Sequence, residues 1–193
     1  MNPTGELWLP GLRHERSANQ DERPGNGEVD LLVIHNISLP PGEFGGDHIC
    51  DLFLNRLDPQ AHPYFAEIAH LQVSSHLLIR RDGSALQFVA LDRRAWHAGL
   101  SSFCGRARCN DFSIGIELEG SDDTPFTEAQ YQQLAALTAD IRTLFPAIQP
   151  DRIVGHSDIA PDRKTDPGPH FNWTLYRQLI AQASGDGRNI SES

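Results

Sequence analysis

Three side chains of this sequence have the types and placement to hold a metal ion. The pattern GH-x9-DPG supplies His156 and Asp166, and His35 ends the apolar run LLVIH much as His156 ends RIVGH. Two histidines at strand ends and one loop carboxylate suit a catalytic zinc, because three protein ligands leave the fourth tetrahedral position open. The sequence therefore predicts a metal-dependent hydrolase.

Several side chains of the loop that starts at His156 could supply the third ligand. The candidates are Asp158, Asp162, Asp166 and His170. Asp166 is favoured because the Pro-Gly-Pro segment after it stiffens the backbone and would help to hold a ligand in place.

Hydrolysis also needs a base for the attacking water, and the stretch DFSIGIELEG offers one. Its apolar residues alternate with Ser113, Gly115, Glu117 and Glu119, so these four share one face of a strand. Small Ser113 and Gly115 would leave room for a substrate beside Glu117. A solvated strand face would explain both glutamates equally well, and Glu119 is the second candidate.

A positive group for the developing oxyanion is available on the metal-binding loop. Lys164 and Arg163 are the cations between His156 and Asp166. Either could also be an ordinary loop charge.

The other histidines and the cysteines carry less information. His76 and His97 sit beside apolar or aromatic neighbours and are expected to be packed or to line a pocket, whereas no partner pattern surrounds His14, His48, His62 and His70. The motif CGRARC has neither the CxxC spacing nor a second cysteine pair, so Cys104 and Cys109 are expected to be ordinary, partly buried thiols.

Composition excludes several classes of protein. The 193 residues suit one domain with a sizeable core, and 39% hydrophobic residues indicate a globular chain. A net charge of -10 disfavours binding to duplex nucleic acid. The start of the chain has no apolar run that suits a signal peptide or a membrane span, which predicts a cytoplasmic location, and no obligate protein partner is expected.

The elements that must position these residues form an α/β fold, a mixed central sheet flanked by helices. DLLVI predicts a strand buried on both faces, Asp82-Gly83 a hairpin turn, and HICDLFLNRL a helix. A long helix should begin with a capping box at Thr127 and Gln130 and end before Pro146. Its predicted apolar stripe is Leu134, Leu137, Ile141 and Leu144. Residues 40–46 are expected to form a loop, and a last helix is expected near 173–183. The domain is expected to span 1–183, with 1–30 mostly a surface arm and 184–193 a flexible tail.

Seven stretches of the chain, taken together, resemble one family. They are HNISLPPGEFGG, AHPYF, VSSHLLIRRDG, RAWHAG, GRARCNDFSIGIELEG, YQQLAAL and GHSDIAPDRKTDPGP. They resemble the AmpD-type amidases, which are cytoplasmic 1,6-anhydro-N-acetylmuramyl-L-alanine amidases of Gram-negative cell-wall recycling. The wider superfamily includes phage amidase lysozymes and the peptidoglycan recognition proteins. The resemblance runs from about Trp8 to Trp173 and is specific, because many long motifs occur in one order.

The resemblance implies a role for individual residues of this chain. His35, His156 and Asp166 fall on the family's ligands for one zinc ion. Glu117 matches the carboxylate that activates water, and Lys164 matches the cation that stabilises the oxyanion. The positions that match the muropeptide groove are Asn36, Trp96, His97, Arg108 and Asn110. Gln72 stands where the family often has Arg, so one expected contact with an anionic substrate is either missing or supplied by Arg80 or Arg108.

The implied reaction is hydrolysis of the amide between anhydro-N-acetylmuramic acid and the L-Ala of the stem peptide, so an anhydromuropeptide is the expected partner. Arg106 and Arg108 could provide local cations for its carboxylates. A catalytically dead recognition module would have lost a zinc ligand, and all three are present. A zinc peptidase would often carry an HExxH helix, which the sequence lacks.

Overall fold

A mixed six-stranded sheet forms the centre of the protein. The computed structural model describes residues 5–25 and 27–186. The strands are β1 Arg13–His14, β2 Gln20–Asp21, β3 Leu31–Ile37, β4 Leu77–Ile79, β5 Ala85–Gln87, β6 Arg94–Ala95, β7 Ser102–Phe103, β8 Arg106–Ala107, β9 Ser113–Glu119 and β10 Ile153–Gly155. The central sheet has the order β1-β5-β4-β9-β3-β10, and the pairs β2-β6 and β7-β8 form small separate sheets. This is the predicted α/β architecture.

Five helices and two short turns complete the described chain. The helices are α1 His48–Phe53, α2 Pro63–Ile68, α3 Glu128–Leu144, α4 His156–Ile159 and α5 Trp173–Asp186, and the 3₁₀ turns are Cys109–Asp111 and Pro150–Arg152. None of the helices within the described ranges is long and apolar enough to cross a membrane.

Strand β3 lies inside the sheet and carries a candidate ligand, His35, near its carboxyl end; the strand continues two residues beyond the predicted end, to Ile37. Its residues 31–34 are fully buried, which confirms the prediction from the continuous apolar run that both faces of the strand are covered. Parallel pairing with β9 sets His35 opposite Glu117, and parallel pairing with β10 sets Ile34 opposite Gly155, the residue before His156. Three predicted site residues therefore meet at one end of neighbouring strands.

The two faces of the sheet are covered by different elements. Ile114 and Ile116 of β9 pack with Leu134 of α3 and Tyr176 of α5 on one side. On the other side, α1 and α2 pack against β4 and β5 in a separate apolar cluster. The polar side chains of β9 lie on this second side.

Helix α3 begins as predicted and ends with a small difference. Thr127 and Gln130 form the reciprocal capping box. Leu134, Leu137 and Ile141 are buried, but Leu144 is 46% exposed. It is the last helical residue and lies beyond the part of the helix that packs on α5 and the sheet.

The predicted surface arm is anchored to the domain. Residues 13–14 pair with β5 and residues 20–21 with β6. Ser17, Asn19 and Arg23 are buried, and the Asn19 amide donates to the carbonyl oxygen of Val73 at 2.8 Å. The polar side chains from which an arm was predicted instead form hydrogen bonds with buried backbone groups. Asn26 lies outside the described residues.

The C-terminal helix continues to Asp186, three residues into the segment predicted to be a tail. Residues 187–193 of that predicted tail lie outside the described residues.

Candidate active site

Three side-chain atoms converge at the carboxyl ends of β3 and β10. The Nδ1 atoms of His35 and His156 are 3.0 Å apart, and each lies 3.1 Å from Oδ2 of Asp166. Both histidines are buried. Among the described residues, this is the cluster of histidine, cysteine and acidic side chains with the geometry to hold a metal ion.

The outer nitrogen of His156 contacts a backbone carbonyl group. Nε2 of His156 lies 3.1 Å from the carbonyl oxygen of Ala98. A carbonyl oxygen only accepts hydrogen bonds, so this contact favours a proton on Nε2 and leaves Nδ1 as the nitrogen that could bind a metal ion. Burial lowers the pKa of His35 to about 4, against the opposing influence of Asp166. Burial would raise the pKa of Asp166, but its contacts with His156 and His35 hold it below the usual range.

The other candidates for the third ligand are placed elsewhere. Asp158 accepts a hydrogen bond from the backbone N–H of Gly155 at 2.7 Å. Asp162 and His170 are exposed. The backbone of Asp166 is fixed by the N–H of Ser157, which donates to its carbonyl oxygen at 2.9 Å.

A cavity of about 360 Å³ opens onto the three converging atoms. Glu117, Lys164 and Asn36 line it together with Trp96 and His97. Its apolar wall comes from α1, α2 and the segments beside them, and consists of Ile37, Leu39, Pro41, Leu52, Phe53, Tyr64, Ile68, Leu71 and Val73. Sequence reasoning predicted the helix α1 from its periodicity, but no signal in the sequence placed α1 or α2 at this cavity.

Glu117 is a buried carboxylate with an unused acceptor. Its Oε2 atom has no hydrogen-bond partner within the described part of the chain. Burial raises the pKa of Glu117 well above its usual range, the charge of Asp166 raises it further, and Lys164 lowers it. The interpretation of this side of β9 as a solvated face is wrong, because all seven residues of the strand are buried.

The carboxylate of the second candidate base, Glu119, already has hydrogen-bond partners in the protein. Its carboxylate accepts hydrogen bonds from the backbone N–H groups of Gly45 at 2.6 Å and Arg81 at 3.0 Å. It holds two loops together and does not line the cavity.

The two loop cations are separated by the structure. Lys164 lines the cavity. The guanidinium of Arg163 donates to the carbonyl oxygens of Ala98 at 2.7 Å and Leu100 at 2.9 Å, so it is used to hold a loop.

The space beside Glu117 is filled by protein. A Cβ atom added to Gly115 would lie 2.5 Å from Cγ of His97, and the Ser113 hydroxyl lies 3.2 Å from Nε2 of the same ring. The expectation that Ser113 and Gly115 leave room for a substrate needs correction, because these small residues make room for His97. Strand periodicity could not reveal a partner from a distant loop.

The expected groove residues divide into two groups. Asn36, Trp96 and His97 line the cavity. Asn110 lies behind it, where its Oδ1 accepts from the backbone N–H groups of His97 and Ala98.

Arginines expected near an anionic substrate are mostly engaged elsewhere. Arg108 is exposed and pairs with Asp111 at 3.2 Å, away from the cavity lining. Arg106 pairs with Asp30 at 2.6 Å, and Arg80 pairs with Asp47 at 2.9 Å. Gln72 is exposed.

The cysteines of CGRARC are free thiols. Cys109 is buried, as expected for an ordinary small side chain, whereas Cys104 is exposed.

Comparison with known proteins identifies the family. Residues 25–169 match the family described as N-acetylmuramoyl-L-alanine amidase, and this match covers most of the chain. The chain belongs to this amidase family. The 1,6-anhydro-N-acetylmuramyl-L-alanine amidase AmpD of Salmonella typhimurium is 59% identical to this amidase over 177 residues, which are 92% of this chain and 94% of the relative.

Solved structures of relatives have the same fold. The crystal structure of a selenomethionine derivative of AmpD matches this amidase with a TM-score of 0.88 at 60% identity, covering 90% of this chain and 96% of that one. The complex of AmiD from Escherichia coli with anhydro-N-acetylmuramic acid-L-Ala-D-gamma-Glu-L-Lys matches with a TM-score of 0.59 at 30% identity, covering 91% of this chain and 66% of that one.

The donor atoms of the amidase fit a zinc ion. A tetrahedral site with bonds of about 2.0–2.1 Å places its ligand atoms roughly 3.3 Å apart. His35, His156 and Asp166 come within a few tenths of an ångström of that spacing, at 3.0–3.1 Å. Lone pairs facing one another at this distance repel, and a cation between them would remove the repulsion. Glu117, whose buried Oε2 atom has no hydrogen-bond partner among the described residues, lines the same cavity.

Proposed function

We propose that this amidase hydrolyses the amide bond between 1,6-anhydro-N-acetylmuramic acid and the L-Ala of a muropeptide stem, with one zinc ion per chain. The observation that carries the proposal is the convergence of His35, His156 and Asp166 in a cavity also lined by Glu117 and Lys164. The high identity to AmpD over nearly the whole chain supports the choice of the anhydro sugar.

His35, His156 and Asp166 would hold the zinc ion. When bound, zinc supplies Lewis-acid chemistry and lowers the pKa of a coordinated water to about 7. The outer contact of His156 with the Ala98 carbonyl would hold the proton on Nε2 and leave Nδ1 for the metal ion.

Glu117 would act as the base that takes the proton from the attacking water. Burial raises the pKa of Glu117 and so favours the neutral form of its carboxyl group. A divalent cation at the histidines would favour the charged form, and Lys164 acts in the same direction. Glu117 would then pass the proton to the leaving nitrogen of L-Ala.

Lys164 would stabilise the negative charge that develops on the carbonyl oxygen of the scissile amide. Its location on the cavity wall supports this role.

The cavity walls suit an amphipathic ligand. Trp96 has a fixed ring, since its Nε1 atom donates to Asp21 at 3.2 Å, and it offers an apolar face to a sugar. Asn36 donates through Nδ2 to Asp122 at 2.7 Å, which leaves its Oδ1 atom to accept from the substrate. Arg108 remains a candidate to bind a carboxylate of the stem peptide. To do so, it would have to break its ion pair with Asp111.

The proposed setting is the cytoplasm, where anhydromuropeptides are recycled, without an obligate protein partner, nucleic acid or membrane. This part of the proposal follows from the resemblance to AmpD-type amidases. The net charge of -10 supports the exclusion of nucleic acid.

Product analysis on a defined substrate tests the proposal. The zinc-loaded enzyme, incubated with anhydro-N-acetylmuramyl-L-Ala-D-Glu-containing peptide, should release free anhydro sugar and a peptide with an L-Ala amine, both identified by mass spectrometry. Lys164→Met keeps the stem but removes the charge, and it should lower kcat by about 10²-fold or more. Binding without cleavage would instead indicate a recognition module, and cleavage between amino acids a peptidase.

A further inference from the structure

The outer nitrogens of both candidate ligand histidines contact one short segment, residues 97–98. Nε2 of His35 lies 2.9 Å from Nδ1 of His97, and Nε2 of His156 lies 3.1 Å from the carbonyl oxygen of Ala98. We propose that His97 is a positioning residue that fixes the ring of His35 for metal binding, and that Asn110 holds the segment in place. This inference rests on the proposed zinc amidase function.

The hydrogen bonds through His97 run in one direction. With a metal ion on its Nδ1 atom, the neutral ring of His35 would carry its proton on Nε2, which lies 2.9 Å from Nδ1 of His97 and would donate to it. His97 then carries its own proton on Nε2, and the Ser113 hydroxyl accepts it at 3.2 Å. Ser113 is fully buried on β9, so the sequence of hydrogen bonds ends in the sheet.

Both ring nitrogens of His97 are therefore in use. Nδ1 accepts from His35, and Nε2 donates to Ser113. The ring lines the cavity, but it has no nitrogen left for a hydrogen bond to a substrate. This distinguishes His97 from Asn36, which keeps a free acceptor.

Strand β9 of the sheet leaves space for the ring of His97. A Cβ atom at position 115 would lie 2.5 Å from Cγ and 2.6 Å from Nδ1 of His97, so only glycine there lets the ring lie on the strand. Ser113, two residues earlier on the same face, supplies the hydrogen bond. Sequence and packing together fix the ring in both position and orientation.

Asn110 fixes the backbone of the same segment. Its Oδ1 atom accepts from the N–H of His97 at 3.1 Å and from the N–H of Ala98 at 2.8 Å. The Ala98 carbonyl also accepts from Arg163 at 2.7 Å. One segment thus orients both histidines, and loss of Asn110 would loosen both.

Zinc affinity measured by competition with a chelator tests the inference. His97→Leu removes the acceptor but keeps apolar bulk, and should weaken zinc binding by about 10–100-fold, the usual effect of losing such a partner. His97→Asn retains an oxygen near the position of Nδ1 and should restore most of the affinity. Asn110→Ala should weaken binding, whereas Asn110→Asp, which keeps the accepting oxygen, should do so much less.

Two serines provide a matched comparison. Ser113→Ala removes the acceptor for His97 and should weaken zinc binding. Ser75→Ala removes another fully buried hydroxyl, which donates to the Gly115 carbonyl at 2.8 Å but contacts neither ligand histidine, and should leave zinc affinity unchanged. Urea unfolding of the zinc-free proteins shows which variants are folded. Long-range ¹H–¹⁵N spectra of the zinc-loaded enzyme should show a protected His35 Nε2–H that is lost in folded His97→Leu.

The outcomes separate the inference from the proposed function. A folded His97→Leu protein with wild-type zinc affinity would overturn the inference alone. Equal losses in Ser113→Ala and Ser75→Ala would do the same, since they would indicate a general packing effect. A wild-type enzyme that binds no zinc would overturn the proposed function itself.

Discussion

His35, His156 and Asp166 place three potential ligand atoms within 3.1 Å of one another, an arrangement that a bound cation would stabilise. We expect His156→Ala to lose both zinc and activity, because a site with three protein ligands tolerates little loss. Metal analysis of the dialysed protein and a turnover assay measure the two effects. Chelation of the wild-type enzyme should abolish activity, and added zinc should restore it.

His170→Ala is the control for that experiment. His170 follows the same loop and was a candidate ligand in the sequence, but it is exposed and lies outside the cluster. The variant should keep about one zinc per chain and normal turnover. Full zinc content in His156→Ala would show that the assigned ligands are wrong.

Glu117 and Glu119 share one face of β9 but have different surroundings. We expect Glu117→Gln to bind zinc and fold normally but to lose at least ~10²-fold in kcat, the usual scale for a missing general base. Glu119→Gln should lower stability, because its carboxylate accepts from two backbone N–H groups, while kcat stays within a few-fold of wild type.

Steady-state kinetics, zinc content and urea unfolding of both variants distinguish the roles. A Glu117→Gln enzyme with near-normal kcat, or a Glu119→Gln enzyme that is stable but inactive, would reverse the assignment.

At the scale of elements, helix α3 carries stability without touching the site. The Thr127 hydroxyl accepts from Gln130 N–H at 3.1 Å and donates to the Arg81 carbonyl at 2.8 Å. Thr127→Ala should therefore lower the free energy of unfolding by about 1 kcal/mol, with kcat unchanged. Thr143→Ala, at an exposed position of the same helix, is the control and should change stability much less. A loss of activity in a folded Thr127→Ala protein would contradict the separation of the two functions.

The elements were predictable where a local pattern decides them. The apolar run of β3, the alternation of β9 and the capping box of α3 each depend on residues close in sequence, and each prediction is confirmed. The environment of β9's polar face was not predictable in the same way. This environment depends on His97, a loop residue whose ring covers Gly115.

The site could be predicted in part for a related reason. His35 lies near the end of β3, His156 directly follows β10, and Asp166 precedes a stiff turn, so their types and positions already suggested a common location. The roles of His97 and Asn110 depend on which atom of each side chain is already engaged, and only the three-dimensional contacts give that information. A motif match placed both residues in a groove, whereas their hydrogen bonds are directed into the protein.

At the scale of the whole molecule, charge and cavity size favour a small soluble substrate. The chain carries a net charge of -10, and its cavity of about 360 Å³ suits one small ligand. Cross-linked murein is a large surface with many carboxylates, so charge repulsion should slow its encounter with the protein. A single anhydromuropeptide meets less repulsion and needs to place only its sugar and scissile amide at the cavity.

We therefore expect kcat/KM for a soluble anhydromuropeptide to exceed that for intact cross-linked murein by at least about 10-fold. Mass spectrometry of the products, at equal concentrations of cleavable bonds, provides the comparison. Murein made soluble with a muramidase is the control, because it removes the polymer but keeps ordinary N-acetylmuramic acid, and its rate separates the effect of size from that of the anhydro sugar. Comparable rates on the intact polymer would refute the preference and indicate a lytic amidase.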